Sequence, residues 1–421
     1  MPDAANSLTA TFAALERERS GKKTVPRIGN FFGAIYVAIT TIILAYGSLF
    51  GFASILLMYA IWLPKLRYKG TFTLKLSKDV IFAALLPALG VISTLWSDFP
   101  KESLYSSLEY TSLVVCAVLV GKLVRTPAYI RGLVIGSTLV LAASLFSGTY
   151  GTDPFSGTSA LIGLFGSKNM VGFFAEISIL SSVISLFMRQ NIFEKILFAL
   201  IPLLVAAASI YLSKSASSLL SAMIVLATLA AAVFITKLPR AFRMPCTIAG
   251  GIVLFLFGAA ATIYGLQNTV LKSFNKDTTL TGRTYLWSEG LKAGMESPVL
   301  GHGYSAFWVE GRPKAEELWE KFYVPAKVGF HFHNMFIEAF VELGFAGALL
   351  VAWMLIGTCF KSIRLAIAGL TLEYTVALAM SVMFLCRAMV EVDIIGTFSI
   401  GPLLFYSIVP RLATYKRERQ L

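Results

Sequence analysis

Apolar runs close to membrane-spanning length alternate with short polar connections along most of this chain. A helix needs roughly 20 apolar residues to cross the hydrocarbon core of a bilayer. Runs of about that length fall at 28–45, 47–63, 78–96, 104–121, 129–148, 170–188, 193–212, 216–235, 245–266, 335–357, 374–393 and 396–412. A bilayer offers backbone groups no water, so such runs satisfy their own hydrogen bonds as helices. The pattern predicts an all-α fold, a polytopic membrane bundle of about twelve transmembrane helices. Residues 28–63 form one apolar block, divided here near Gly47. The alternation fails once, over the 67 polar residues from Gln267 to His333. The predicted organisation is a polar tail (1–27), spans one to nine (28–266), the polar interval (267–333), spans ten to twelve (334–412) and a short second tail (413–421).

The interval carries element signals of its own. Thr281-Gly-Arg283 opens a capped helical pattern that stops before Pro298, and Pro313 to Phe322 reads as a short amphipathic helix with Leu318, Trp319 and Phe322 on its apolar side. Trp287, Trp308 and Trp319 suit a segment lying at headgroup level, with stacking against sugars as the second reading.

Composition agrees with a membrane protein: 57% of residues are apolar, 14% are charged, and the mean hydropathy is +0.74, against about 25% charge in soluble domains. The four cysteines, Cys116, Cys246, Cys359 and Cys386, all fall inside apolar runs and read as small core residues rather than a disulfide or metal set. The polar start of the chain has no short apolar core of a cleaved leader. A net charge of +13 would suit nucleic acid, but its distribution fits a membrane better. With the N-terminus placed in the cytoplasm, 24 of the 36 lysines and arginines fall in inner segments, and eight of the other 12 lie in the polar interval. Positive charge in short loops marks the cytoplasmic side. Both termini are therefore expected inside and the interval outside, with no nucleic-acid partner. Four polar clusters then share the outer surface: Gly166-Ser-Lys-Asn169, Ser213-Lys-Ser215, Thr281-Gly-Arg283 and His331-Phe-His-Asn334.

All three histidines, His302, His331 and His333, belong to the interval, which concentrates acid–base capacity near neutral pH at one boundary. His333-Asn334 begins span ten, with Asn334, Glu338 and Glu342 on one helical face. His333 is the candidate general base. Asn334 reads as a helix cap and Glu338 as a complement to the helix dipole, but two carboxylates entering an apolar span are costly unless paired or functional. A metal held by His331, His333 and His302 or Glu338 is the alternative, and the reading here is that none is bound. Arg283, near free N–H groups at a helix start, suits a diphosphate. Lys168, Asn169 and Lys214 lie at outer span ends, and Glu176 continues the stripe of Asn169 into the bundle. Arg387 and Glu391 are spaced i, i+4 in span eleven, near Asp393, and can pair with each other; charges at this depth normally face the bundle interior or a cavity. Pro298-Val-Leu-Gly-His-Gly303 reads as a plain turn, with an anion-binding turn as the alternative.

These pieces, with Leu95-Trp-Ser-Asp98, Gly172, Trp287, Gly344 and Gly347, stand in an order that resembles the O-antigen ligase and polysaccharide polymerase family, bacterial inner-membrane glycosyltransferases of the GT-C type. The resemblance runs from about residue 30 to 410 and is nearest the exopolysaccharide-polymerase branch. It implies metal-independent, inverting glycosyl transfer without a cofactor, at the periplasmic face, from an undecaprenyl-diphosphate-linked glycan to another glycan or to lipid A-core. By the same resemblance His333 activates the acceptor and Arg283 holds the donor diphosphate, with Lys168 and Lys214 as further cations. Asn169, His302, His331, Asn334, Glu338, Arg387 and Glu391 are supporting residues, and membrane lipid, a flippase and a chain-length regulator are the expected partners. Ser213-Lys-Ser-Ala-Ser217 carries a lysine where many relatives have an arginine, which leaves the second phosphate contact open. Polymerase is the leading reading and ligase the second. A twelve-span transporter would place its polar residues at mid-bilayer within internal repeats, and neither pattern is present in the sequence.

Overall fold

A computed structural model describes residues 28–67, 77–152, 157–263 and 282–418. The tail 1–27, the centre of the 65–78 connection, the interval's start from Gln267 to Thr281, and residues 419–421 lie outside the described residues. What is described is mostly helical: α1 (Asn30–Ala45), α2 (Phe52–Trp62), α3 (Lys78–Ser93), α4 (Pro100–Leu123), α5 (Thr126–Ser147), α6 (Lys168–Ser185), α7 (Ile192–Ser213), α8 (Ala216–Ile235), α9 (Arg240–Ile263), α10 (Arg283–Glu296), α11 (Pro313–Lys321), α12 (Met335–Ala368), α13 (Leu372–Arg387) and α14 (Ile400–Glu418). One small antiparallel hairpin, β1 (Tyr150–Thr152) against β2 (Ser159–Leu161), joins α5 to α6 and pairs Tyr150 with Leu161.

Among the described residues five helices, α4, α5, α7, α8 and α12, are long and apolar enough to cross a membrane. Further apolar helices at Asn30–Ala45, Phe52–Leu66 and Ile400–Leu412 are shorter. Many large apolar side chains on their outer faces stay exposed, among them Phe146, Leu204, Phe234, Leu349 and Phe360, as expected where lipid is the solvent. Between helices in lipid, close approach replaces the hydrophobic effect as the driving force. Gly132 and Gly136 show this: spaced i, i+4 on α5, they bring it against Ala34, Val37, Ala38 and Thr41 of α1, where a Cβ would overlap that helix.

The features that place the site are two interruptions. The first is in α12. Gly344 breaks the helix with φ 65° and ψ −165°, a conformation in effect reserved for glycine. The break lets another segment use the helix backbone. His302 N–H donates to Val341 O at 3.0 Å, Gly303 N–H donates to Glu342 O at 2.8 Å, and Phe345 N–H donates to Pro298 O at 2.8 Å. Pro298–Gly303, expected as a plain turn, is thus a plug seated in the α12 kink.

The second interruption ends α13. Span eleven was expected to run to residue 393, but α13 stops at Arg387, and residues 388–399 are non-helical. Glu391 and Asp393 therefore lie off the helix. Tyr304, just past the plug, buries its ring against Tyr110 and donates its hydroxyl to Ile395 O, while Tyr110 donates to Ile394 O at 2.9 Å and shares a hydrogen bond with Tyr406. These contacts tie the plug to the 388–399 segment.

The two helices read within the polar interval are present as α10 and α11. They close over a small core of Leu286, Ala293, Phe307, Leu318 and Phe332 that shares Val341 with α12. Lys314 of α11 pairs with Glu289 of α10 at 2.5 Å. Together with the plug and residues 322–333 they make a lid over the start of α12.

Candidate functional site

The site is organised around Glu391, whose side chain is only 6% exposed. Its Oε1 accepts from Arg283 Nη2 at 2.9 Å and from Asn169 Nδ2 at 2.9 Å. Its Oε2 lies 3.3 Å from His333 Nδ1 and 3.9 Å from His331 Nε2. One carboxylate thus gathers side chains from α6, α10, the end of the lid and the 388–399 segment. Three of the four outer clusters read from the sequence meet here.

Each arm has a local cause. Arg283 is the first residue of α10, after Gly282 at φ 83°, and its Nη1 donates to Val390 O at 2.8 Å. The guanidinium fork is therefore fixed by two adjacent residues of one segment. Asn334 caps α12 as expected, its Oδ1 accepting from Phe336 N at 3.0 Å and Ile337 N at 3.2 Å. Its Nδ2 donates to Met389 O at 3.2 Å, and Met335 N–H donates to Ala388 O at 2.9 Å. The start of α12 and the segment carrying Glu391 are thereby stitched together. His333 lies just before the cap with φ 51°, an uncommon backbone for a residue with a Cβ.

The remaining predicted residues fall into three other places. Glu338 does not touch His333: its oxygens accept from Phe332 N at 2.7 Å and Trp308 Nε1 at 3.0 Å, so it anchors the lid. Arg387 does not pair with Glu391, the partner that the spacing suggested. Because α13 ends at Arg387, the i, i+4 helical spacing no longer applies. Arg387 instead holds Asp393 at 2.6 Å, Glu176 at 3.3 Å and Ser218 at 3.1 Å, with its guanidinium over the Phe173 ring. This fully buried group clamps the segment two residues beyond Glu391. His302 also separates from the other histidines. Its Nδ1 meets Asp98 at 2.7 Å and its Nε2 meets Ala293 O at 3.0 Å, and Arg312 binds the same Asp98. That latch joins the lid to the α3–α4 connection.

Lys168 opens α6 beside Asn169 and is half-buried. Lys214 ends α7 in the left-handed region (φ 49°) with an exposed side chain. Ser215 and Ser218 crowd Gly172 of α6, so the Ser213-Lys-Ser215 turn sits beside the same helix. Lys214 is not among the side chains that meet Glu391.

Sequence reasoning missed Asp393 as the partner of Arg387 and Arg312 as a member of the latch. One signal was available: three charges within Arg387–Asp393 cannot all pair along one helix face.

His331 Nε2, His333 Nδ1 and Glu391 Oε2 lie within 4.8 Å of one another, a spacing that a metal ion could bridge. The donor set is already committed otherwise. Arg283 shares the carboxylate, and His331 Nδ1 accepts the His333 N–H at 3.1 Å, which leaves the Nε2 of a neutral ring protonated. Burial, and then the neighbouring His333, push His331 down to about 3, in accord with a neutral ring. The arrangement as it stands is an imidazole facing a carboxylate, with a guanidinium on the same carboxylate. Nδ1 of His333 faces the carboxylate, which leaves Nε2 open to act as a proton acceptor. The 3.3 Å separation is long for a hydrogen bond, as catalytic contacts often are before substrate binds.

Comparison with known proteins shows the family. Residues 201–352 match the family described as O-Antigen ligase. The chain is 34% identical over 398 residues to the exopolysaccharide production protein ExoQ of Rhizobium meliloti, covering 94% of this chain and 91% of that protein. The chain belongs to the O-antigen ligase and polysaccharide polymerase family. As a member of that family it is a multi-pass membrane enzyme of the glycosyltransferase type. The family match begins in α7 and ends in α12, so it takes in Arg283, His331, His333 and Asn334 but leaves out Asn169, Arg387 and Glu391.

Proposed function

We propose that the protein polymerises oligosaccharide repeat units carried on undecaprenyl diphosphate, by inverting, metal-independent transfer at the periplasmic face of the bacterial inner membrane. The observation that carries this reading is the convergence of Arg283 and His333 on the buried Glu391 at the start of α12. A polyprenyl diphosphate is already an activated leaving group, so the enzyme must supply a base for the acceptor hydroxyl and positive charge for the departing phosphate. His333 Nε2 takes the hydroxyl proton. The acceptor oxygen attacks the anomeric carbon from the face opposite the diphosphate and forms the new C–O bond. The bond to the phosphate oxygen breaks, and its electron pair leaves with the diphosphate. Arg283 and Lys168, with Lys214 as a further cation, balance that charge. Glu391 orients His333 and stabilises its imidazolium.

In this reading the chain crosses the membrane twelve times with both termini in the cytoplasm, and the polar interval 267–333 that carries the lid lies outside. Both the glycan donor and the acceptor approach under it. Membrane lipid, a flippase and a chain-length regulator are the working partners. The similarity to a protein of exopolysaccharide production favours polymerisation. Transfer to lipid A-core is the second reading, favoured by the O-Antigen ligase family match. Purified enzyme in lipid nanodiscs, given only an undecaprenyl-diphosphate-linked repeat unit, is expected to yield a ladder of lipid-linked oligomers on a gel. Product formed only when lipid A-core is added would replace polymerase by ligase.

A further inference from the structure

Two residues before the base, His331 completes the cluster around Glu391. It has a half-buried ring, 26% exposed, beside His333, with ring centroids 4.3 Å apart. Nothing in the mechanism above uses it.

Its geometry shows what it does. His333 has φ 51°, a left-handed backbone two residues after His331 and just before the Asn334 cap. The His333 N–H donates to His331 Nδ1 at 3.1 Å. A ring nitrogen that accepts carries a lone pair, so His331 is neutral with its proton on Nε2. Nε2 in turn faces Glu391 Oε2 at 3.9 Å, the oxygen that also faces His333 Nδ1. One imidazole thus accepts from the backbone of the base and lies beside the carboxylate that orients the base. In this left-handed conformation the His333 ring meets Glu391 and Phe330. The Asn334 cap fixes the residue after His333 but gives its N–H no partner.

We propose that His331 is a positioning residue: it holds His333 in its left-handed conformation by accepting the His333 N–H, and so keeps the base on Glu391. The inference rests on His333 being the base. The same geometry argues against His331 as a metal ligand, because Nε2 must keep its proton while Nδ1 accepts.

Three variants of the full-length enzyme in nanodiscs test this, with an undecaprenyl-diphosphate-linked repeat unit as substrate. His331→Asn keeps an acceptor near the Nδ1 position. His331→Gln carries its amide near the Nε2 position, and His331→Ala has neither. A displacement of the base by about 1 Å can cost about 10²-fold in rate, so kcat of His331→Ala should fall by about that factor with donor KM little changed. His331→Asn should recover most of the rate and His331→Gln should not. Thermal unfolding of each variant counts the folded fraction, and a variant that merely fails to fold would lose kcat without the Asn rescue. Equal activity of His331→Ala and wild type, or rescue by Gln and not by Asn, overturns the proposal. An active His333→Ala control would instead sink the base assignment beneath it, so the two failures are distinguishable.

Discussion

In the proposed mechanism Glu391 is the hub, because among the described residues it is the group that Arg283, Asn169 and His333 share. Without its charge the Arg283 guanidinium would lose its counter-ion and His333 its orienting partner. Glu391→Gln keeps the volume and removes the charge. We expect kcat to fall by about 10²-fold or more, the scale of a general-base contribution, when corrected for folded protein by thermal unfolding; a variant within a few-fold of wild type would show that His333 needs no carboxylate. The cluster's members were legible in the sequence as polar residues at outer span ends, and so was the Asn334 cap. Their pairing was not. Spacing along a helix suggested Arg387 with Glu391, and that inference failed because α13 ends at Arg387 and turns the carboxylate towards the lid. Local periodicity cannot show where tertiary contacts end a helix.

At the scale of elements, α12 and the plug form a single device. Gly344 provides the kink, and Pro298–Gly303 fills it with backbone hydrogen bonds. The helices α10 and α11 were readable from their caps and amphipathic pattern, since those signals are local. The plug was not, because its partners lie about forty residues away in the interior of another helix. Gly344→Ala would place a Cβ against Val299 and Leu300 and hold alanine in a glycine-only conformation. The backbone strain alone costs about 1–3 kcal/mol. We expect a lower unfolding temperature and faster protease cleavage between α10 and α11 than in wild type. Unchanged cleavage and stability would mean the plug does not depend on the kink.

For the whole molecule, the apolar runs announced a helical membrane protein, and the described helices follow them closely. Run lengths alone do not fix how many cross: α4, α5, α7, α8 and α12 meet the length on their own, while shorter ones such as α1 rely on packing like that of Gly132 and Gly136. The proposed sidedness rests on charge. In a Cys246→Ser background, Ser288→Cys on α10 should react with a membrane-impermeant maleimide in cells with a permeabilised outer membrane. Lys237→Cys, between α8 and α9, should react only after lysis. The reverse pattern would place the site in the cytoplasm. The most direct test of the account asks whether the start of α12 is where the glycosyl group moves. The measurement is the polymer ladder made from an undecaprenyl-diphosphate-linked repeat unit by purified His333→Ala, beside wild type of equal folded fraction. The account expects a ladder from wild type and none from the variant, and a ladder of normal intensity from His333→Ala would contradict it.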